Sequence, residues 1–154
     1  MSKINDIRNL AESAAKEVSG SPQDWMHYLD TAAKLYRYSF SDTLLIHAQR
    51  PDAIACAELE IWNEKMSRWV NRGAKGIALI DDTGPRRKLR YVFDVSDTHP
   101  VRGGRTPYLW QLQEGQQELL TDHLADTYGV AMDGGADLQK ALMEIAASMA
   151  DENL

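Results

Sequence analysis

The chain has 154 residues, 44% of them apolar and 26% charged, with a net charge of −6. That size suits a single domain spanning 1–154 with one buried core, and the ordinary composition excludes a disordered, collagen-like or disulfide-rich protein. Cys56 is the only cysteine, which excludes an internal disulfide and points to a reducing, cytoplasmic setting. No run approaches the roughly 20 apolar residues of a membrane span. The N-terminus lacks the apolar stretch of a signal peptide, so no membrane partner is expected. There is no internal repeat or low-complexity tract.

In chain order, Ile4, Ile7, Leu10, Ala14 and Val18 recur at helical spacing over residues 2–18. Gly20 ends that helix and Ser21 caps the next, with Pro22 at its first position. This second helix runs to about Tyr36 and should turn Trp25, Leu29, Ala32, Ala33 and Tyr36 inward. Ser39 or Ser41 caps a third, short helix through Leu44, Leu45 and Ala48, which Arg50-Pro51 ends. A further helix is expected over Ala57 to Met66, with Leu59, Trp62 and Met66 inward.

Ile77-Ala78-Leu79-Ile80 reads as a buried strand. Thr83-Gly84-Pro85 is a loop. Leu89, Tyr91, Phe93 and Val95 alternate as the inward face of a second strand, giving an antiparallel hairpin of about 77–80 with 88–95. Residues 102–107 should be irregular. A C-terminal helical segment of about 108–150 follows. Its first helix runs to about Tyr128 with Leu112, Leu119, Leu120 and Leu124 inward, Gly129 ends it, and Gly134-Gly135 forms the link. Leu138, Leu142, Ile145 and Met149 mark the last helix. The fold class is therefore α+β, with helices at both ends around a small antiparallel sheet.

The charge is unevenly placed. Between Lys65 and Arg105 stand ten Lys/Arg against four Asp, a net +6, so the rest of the chain carries −12. A partner responds to that local field rather than to the net charge. Three cationic clusters stand out: Arg68 with Arg72-Gly73-Ala74-Lys75-Gly76, then Arg86-Arg87-Lys88 with Arg90, then Arg102-Gly103-Gly104-Arg105. Glycine elbows expose backbone amides and tolerate positive φ, which suits phosphate. The spacing is not that of a nucleotide-hydrolysing loop. Trp69, Tyr91, Tyr108 and Trp110 are interleaved with the cations, as stacking of single-stranded bases requires. The three clusters are expected to converge on one nucleic-acid-binding surface made of Arg68, Trp69, Arg72, Gly73, Lys75, Gly76, Arg86, Arg87, Lys88, Arg90, Arg102 and Arg105.

Other chemistry finds less support. His27, His47, His99 and His123 are far apart in sequence, and no close ligand pair seeds a metal site. His99, beside the basic loops, is the one placed to meet a phosphate. Cys56 lies among alanines and reads as packing, and no nucleophile motif is present. Asp81-Asp82 opens a turn, and Asp97 is expected to bond backbone amides after a strand. No catalytic residue, metal or cofactor is expected, and the protein is read as a non-enzyme.

Several motifs together carry a resemblance. Tyr38-Ser39-Phe40-Ser41-Asp42-Thr43-Leu44-Leu45-Ile46, Gln49-Arg50-Pro51-Asp52-Ala53, Trp62, Val70, Arg72-Gly73-Ala74-Lys75-Gly76-Ile77 and Val92-Phe93-Asp94-Val95-Ser96-Asp97-Thr98 follow one another in order. Over about residues 20–100 they resemble the ArdC-like single-stranded-DNA-binding domain of antirestriction proteins. That domain also begins large helicase or methylase proteins of conjugative elements. The resemblance implies DNA binding, a mobile-element origin and a part in evading host defence. Ala74 stands where the family's basic-glycine turn usually carries an acid. The family's zinc-peptidase-like part, with its His-Glu-x-x-His, has no counterpart here.

Three functions follow as expectations. The first is a single-strand-preferring DNA-binding module. The second is a stand-alone inhibitor of a host defence nuclease, an anti-CRISPR against Cas9 or a restriction-enzyme inhibitor, using acidic helices (Asp6, Glu12, Glu17; Asp133, Asp137, Glu144, Asp151, Glu152). The third is an assembly domain for a larger helicase.

Overall fold

The computed structural model describes residues 3–129 and 138–152. The chain divides into two compact units, residues 1–109 and 110–154. Helices at both ends and a small antiparallel sheet make it α+β. None of the described helices is long and apolar enough to cross a membrane.

The first unit opens with three helices: α1 (Lys3–Val18), α2 (Pro22–Lys34) and α3 (Phe40–Gln49). Their starts follow local chemistry. Ser21 Oγ accepts from the Asp24 amide with Pro22 at the first turn, and Ser39 Oγ accepts from the Asp42 amide. Each cap satisfies an amide that has no partner within the helix. Strand β1 (Cys56–Ala57) is followed by a helical turn that widens to π geometry over Ile61–Lys65. Then come β2 (Arg68–Val70), β3 (Ile77–Asp81), β4 (Lys88–Asp94) and, after a 3₁₀ turn, β5 (Thr98–Pro100).

The strands form two sheets, a three-stranded one ordered β1-β4-β3 and a two-stranded ribbon β2-β5. In the hairpin Ile77 pairs with Val92 and Asp81 with Lys88. The main core gathers Leu35, Leu45, Ile46, Ala53, Ile77, Leu79 and Val92, with Ile7, Leu10 and Tyr38 packed against it. A second cluster joins Ala14, Val18, Tyr28 and Leu44. The outer edge of β3 is met by one side chain: Gln49 donates from Nε2 to the Ala78 carbonyl (2.9 Å) and accepts the Ala78 amide at Oε1 (3.0 Å).

Four expectations for the elements of the first unit are corrected. In α2 the buried residues are Tyr28 and Thr31, with Leu35 just after the helix, while Trp25, Leu29 and Tyr36 are exposed. The face is set by a polar residue: Thr31 Oγ1 lies 2.8 Å from His47 Nδ1 and donates to the Pro51 carbonyl (3.3 Å). In β4 Val92 and Asp94 are buried and Tyr91 is exposed, so the strand is turned over relative to the expected Leu89–Tyr91–Phe93 face. The helix expected from Ala57 to Met66 begins as strand β1 and leaves Leu59 exposed, although Trp62 is buried as expected. The amide-binding acid after the strand is Asp94 rather than Asp97, whose carboxylate takes the Arg50 guanidinium at 2.6 Å.

The second unit is a helix pair, α4 (Glu114–Tyr128) and α5 (Leu138–Glu152). Residues 108–113 are irregular, and α4 begins where Gln116 Oε1 turns back to accept the Gln113 amide (3.0 Å). Gly129 ends it in the left-handed region (φ 65°), as a helix-terminating glycine does. Thr121, Ala141 and Ile145 are buried, while Leu119, Leu142 and Met149, expected inward, are exposed. Thr121 displaces a leucine because its hydroxyl is satisfied within the helix, donating to the Gln117 carbonyl at 2.7 Å. The expected Gly134-Gly135 link lies outside the described residues.

Candidate nucleic-acid interface

The ribbon β2-β5 places the residues of interest. Antiparallel pairing sets Trp69 opposite His99, with Arg68 opposite Pro100 and Val70 opposite Thr98. Directly paired residues share a face and alternate residues along a strand do too. Trp69, Asn71 and His99 therefore project from one side. Contact confirms it: the Asn71 Oδ1 lies 2.6 Å from His99 Nδ1, which donates to it. Trp69 is 56% exposed beside this pair.

The opposite side is structural. Arg68 donates from Nε to Thr98 Oγ1 (2.8 Å) and from its two terminal nitrogens to the carbonyls of Thr98 and Arg105. Arg68 thus ties down the 101–105 loop rather than offering its charge outward. Arg105 N–H donates to the Met66 carbonyl and Val101 N–H to the Ser67 carbonyl, closing the loop over the start of β2. A Cβ at Gly104 would stand 2.5 Å from Pro100 Cβ and 2.9 Å from the Ser67 carbonyl. Gly104→Ala should push the loop off the ribbon, a loss of about 1–3 kcal/mol readable in urea denaturation.

Cations flank the ribbon at its two ends. Arg72 and the elbow follow β2 past Val70, whereas Arg102 follows β5 past Pro100, which pairs with Arg68 at the other end. Gly73 and Gly103 both hold positive φ (85° and 80°), and the space that a side chain would fill is open at each, so these two turns expose backbone. Gly76 differs from expectation. Its Cα is crowded by Tyr91 and Phe93, with a Cβ meeting Tyr91 at 3.1 Å, so close packing rather than phosphate access requires glycine there.

The expected single convergence does not form. Arg86, Arg87 and Lys88 stand at the Asp81–Lys88 end of the β3-β4 hairpin, while the elbow enters β3 at Ile77. Five strand residues separate the two ends, about 15 Å. Arg90 is drawn inward and held by Asp42 (2.6 Å) and Glu58 (3.2 Å), and Lys88 faces Asp81 at 3.6 Å. Tyr91 carries the Lys3 ammonium 5.4 Å above its ring and so is already occupied. The reason is topological: β4 runs the length of the sheet, so residues joined to its two ends cannot meet.

What remains is a smaller set: Trp69, Asn71 and His99 on the ribbon, with Arg72 and Lys75 in the turn after β2 and Arg102 in the turn after β5. None of its cations has an ion-pair partner among the described residues. The nearby acids are neutralised or withdrawn. Asp97 is paired with Arg50, and Asp94 is buried. Asn71 is a member that the charge pattern does not single out; its two-residue spacing from Trp69 is the signal that could have shown it. Among the described residues no cluster of His, Cys, Asp or Glu is placed to hold a metal. The Cys56 thiol is pushed up to about 12 by burial and by the Asp94 carboxylate, which keeps it protonated.

Compared with known proteins, the chain matches no family model, no curated sequence and no solved structure. The ArdC likeness over residues 20–100 therefore stands on its ordered motifs alone.

Proposed function

We propose that this chain is a DNA-binding module preferring single strands, serving a mobile element in evading host defence. The observation that carries the reading is the exposed Trp69, set beside His99 on a ribbon whose ends carry unpaired cations. An exposed indole offers a stacking face to an unpaired base, and Arg72 and Arg102 lie where flanking phosphates would pass. A duplex hides its base faces, so this arrangement favours a single strand. The ordered motifs over residues 20–100 support the same reading.

Fluorescence anisotropy with labelled single- and double-stranded oligonucleotides over a salt series tests it. Trp69→Ala should weaken single-strand binding about 10- to 100-fold, the equivalent of about 1–3 kcal/mol per stacked base. Arg72→Ala and Arg102→Ala should each reduce the salt slope by about 0.7. Arg86→Ala with Arg87→Ala should change little, because the hairpin tip stands apart. Failure to bind single strands at low salt ends the reading.

Inhibition of a defence nuclease is the second reading. It draws on the nine Asp/Glu against Lys140 alone in residues 110–154, a local charge of −8. Loss of Cas9 or restriction-enzyme cleavage on adding the chain, retained in Trp69→Ala, would favour it.

A further inference from the structure

The second unit carries a groove that the DNA reading does not use. It has a volume of about 460 Å³ and is lined by Trp110, Leu112, Gln116, Leu119, Leu120 and His123. That volume falls in the range of clefts that hold a ligand or a few anchoring side chains. Leu119 is 72% exposed and Trp110 is half exposed. Both are large apolar side chains, and Leu119 is one that a helix ordinarily turns away from water. Thr121, not these leucines, faces inward, so the apolar row on α4 is left outside.

The helix repeat shows what would cover it. Residues four apart stack into rows along α4. Leu119 and His123 make one row, and Gln116 with Leu120 makes the next. Immediately beside Leu119–His123 runs a third row, Glu118, Asp122 and Asp126, all exposed. An apolar trough therefore has an acidic ridge along one side. The whole unit has Lys140 as its single cation against nine acids. The same unit of a second copy would bring −8 against −8 and gain no opposite charge.

We infer that this groove is the docking site for a cationic amphipathic helix of a partner protein. Its apolar residues would fill the trough between Trp110 and Leu119. Lysines or arginines on its flank would meet Glu118, Asp122 and Asp126. This is the helix-in-groove mode of recognition, in which apolar anchors give affinity and flanking charges give orientation.

The test uses the full chain and a fluorescein-labelled helical probe of leucine and lysine at amphipathic spacing, read by anisotropy. Two controls accompany it: the same probe with glutamate for lysine, and a permutation of equal composition without helical periodicity. The lysine probe should bind, and Leu119→Lys should weaken it at least tenfold. Asp122→Asn with Asp126→Asn should weaken it several-fold and flatten its salt dependence. Leu119 is exposed, so its substitution should leave the circular dichroism unchanged. Trp69→Ala should leave probe binding intact, which separates this site from the DNA surface. The inference is overturned by absence of binding, by equal binding of the permuted probe, or by indifference to Leu119→Lys. It is equally overturned if sedimentation shows a dimer that Leu119→Lys dissolves, since the groove would then belong to a second copy.

Discussion

Asp94→Ala is expected to remove about 3–5 kcal/mol of stability, the range seen when a buried charge network loses its centre. Asp94 is 1% exposed and serves four N–H and O–H donors. Its Oδ1 accepts the Ile54 and Ala55 amides (2.8 and 3.1 Å), and its Oδ2 accepts the amide and the hydroxyl of Ser96. Each amide stranded without a partner costs about 1–3 kcal/mol. The carboxylate fastens the segment before β1 to the end of β4, so the whole sheet edge depends on it. A domain with about 5–15 kcal/mol in total would be left close to unfolding. Asp94→Asn, with one acceptor oxygen, should fall between.

The same residue sets an acid limit. Burial pushes its carboxyl up, but the hydrogen bonds from Ser96, Ala55 and Ile54 together outweigh burial and hold it below its ordinary value. A depressed folded value means the stabilisation is complete above the unfolded carboxylate range, near pH 4. It is then lost as pH falls through the folded value. Urea midpoints measured from pH 7 down to pH 2 should drop in the native chain and drop less in Asp94→Asn. Equal slopes in the two would refute the assignment.

Trp62→Ala is expected to have a comparable effect, about 3–5 kcal/mol for emptying a large buried aromatic site. Trp62 is buried, and its indole Nε1 donates to the Phe93 carbonyl at 2.9 Å. One side chain therefore joins the π-helical turn to β4 by both volume and a polar contact. Trp62→Phe keeps much of the volume and loses the donor, so it should cost about 1–2 kcal/mol. Thermal unfolding distinguishes the two, and equal losses would mean that the hydrogen bond contributes nothing.

What the sequence made legible was local. Ser21-Pro22, Ser39 and Gly129 act through neighbours within four residues, and each does what its chemistry dictates. The hairpin of β3 with β4 was legible for the same reason. The faces of α2 and β4 were not, because each is set by a polar residue buried through a distant partner: Thr31 by His47 and Pro51, Asp94 by Ile54 and Ala55. Pattern reading turns such residues to solvent, and in a strand that error reverses every side chain. The Asp94–Ser96 contact, an Asx turn, was the available hint. The β2-β5 ribbon is hidden from pattern reading because each strand has only three residues and their partners lie about thirty positions apart. The candidate site shares that fate. Its cations are all visible, but which of them meet depends on where β4 begins and ends, and which stay free depends on Asp42 and Glu58 reaching Arg90.

Gln49 has a wider meaning for how this protein behaves in a crowded cell. An uncovered strand border invites another polypeptide to add on, and serial addition of that kind ends in aggregates. Here a lone amide group imitates the missing neighbour for Ala78, occupying both of its hydrogen-bonding sites. Gln49 thus closes that border at Ala78, and a chain without it would leave the Ala78 amide and carbonyl without their side-chain partner.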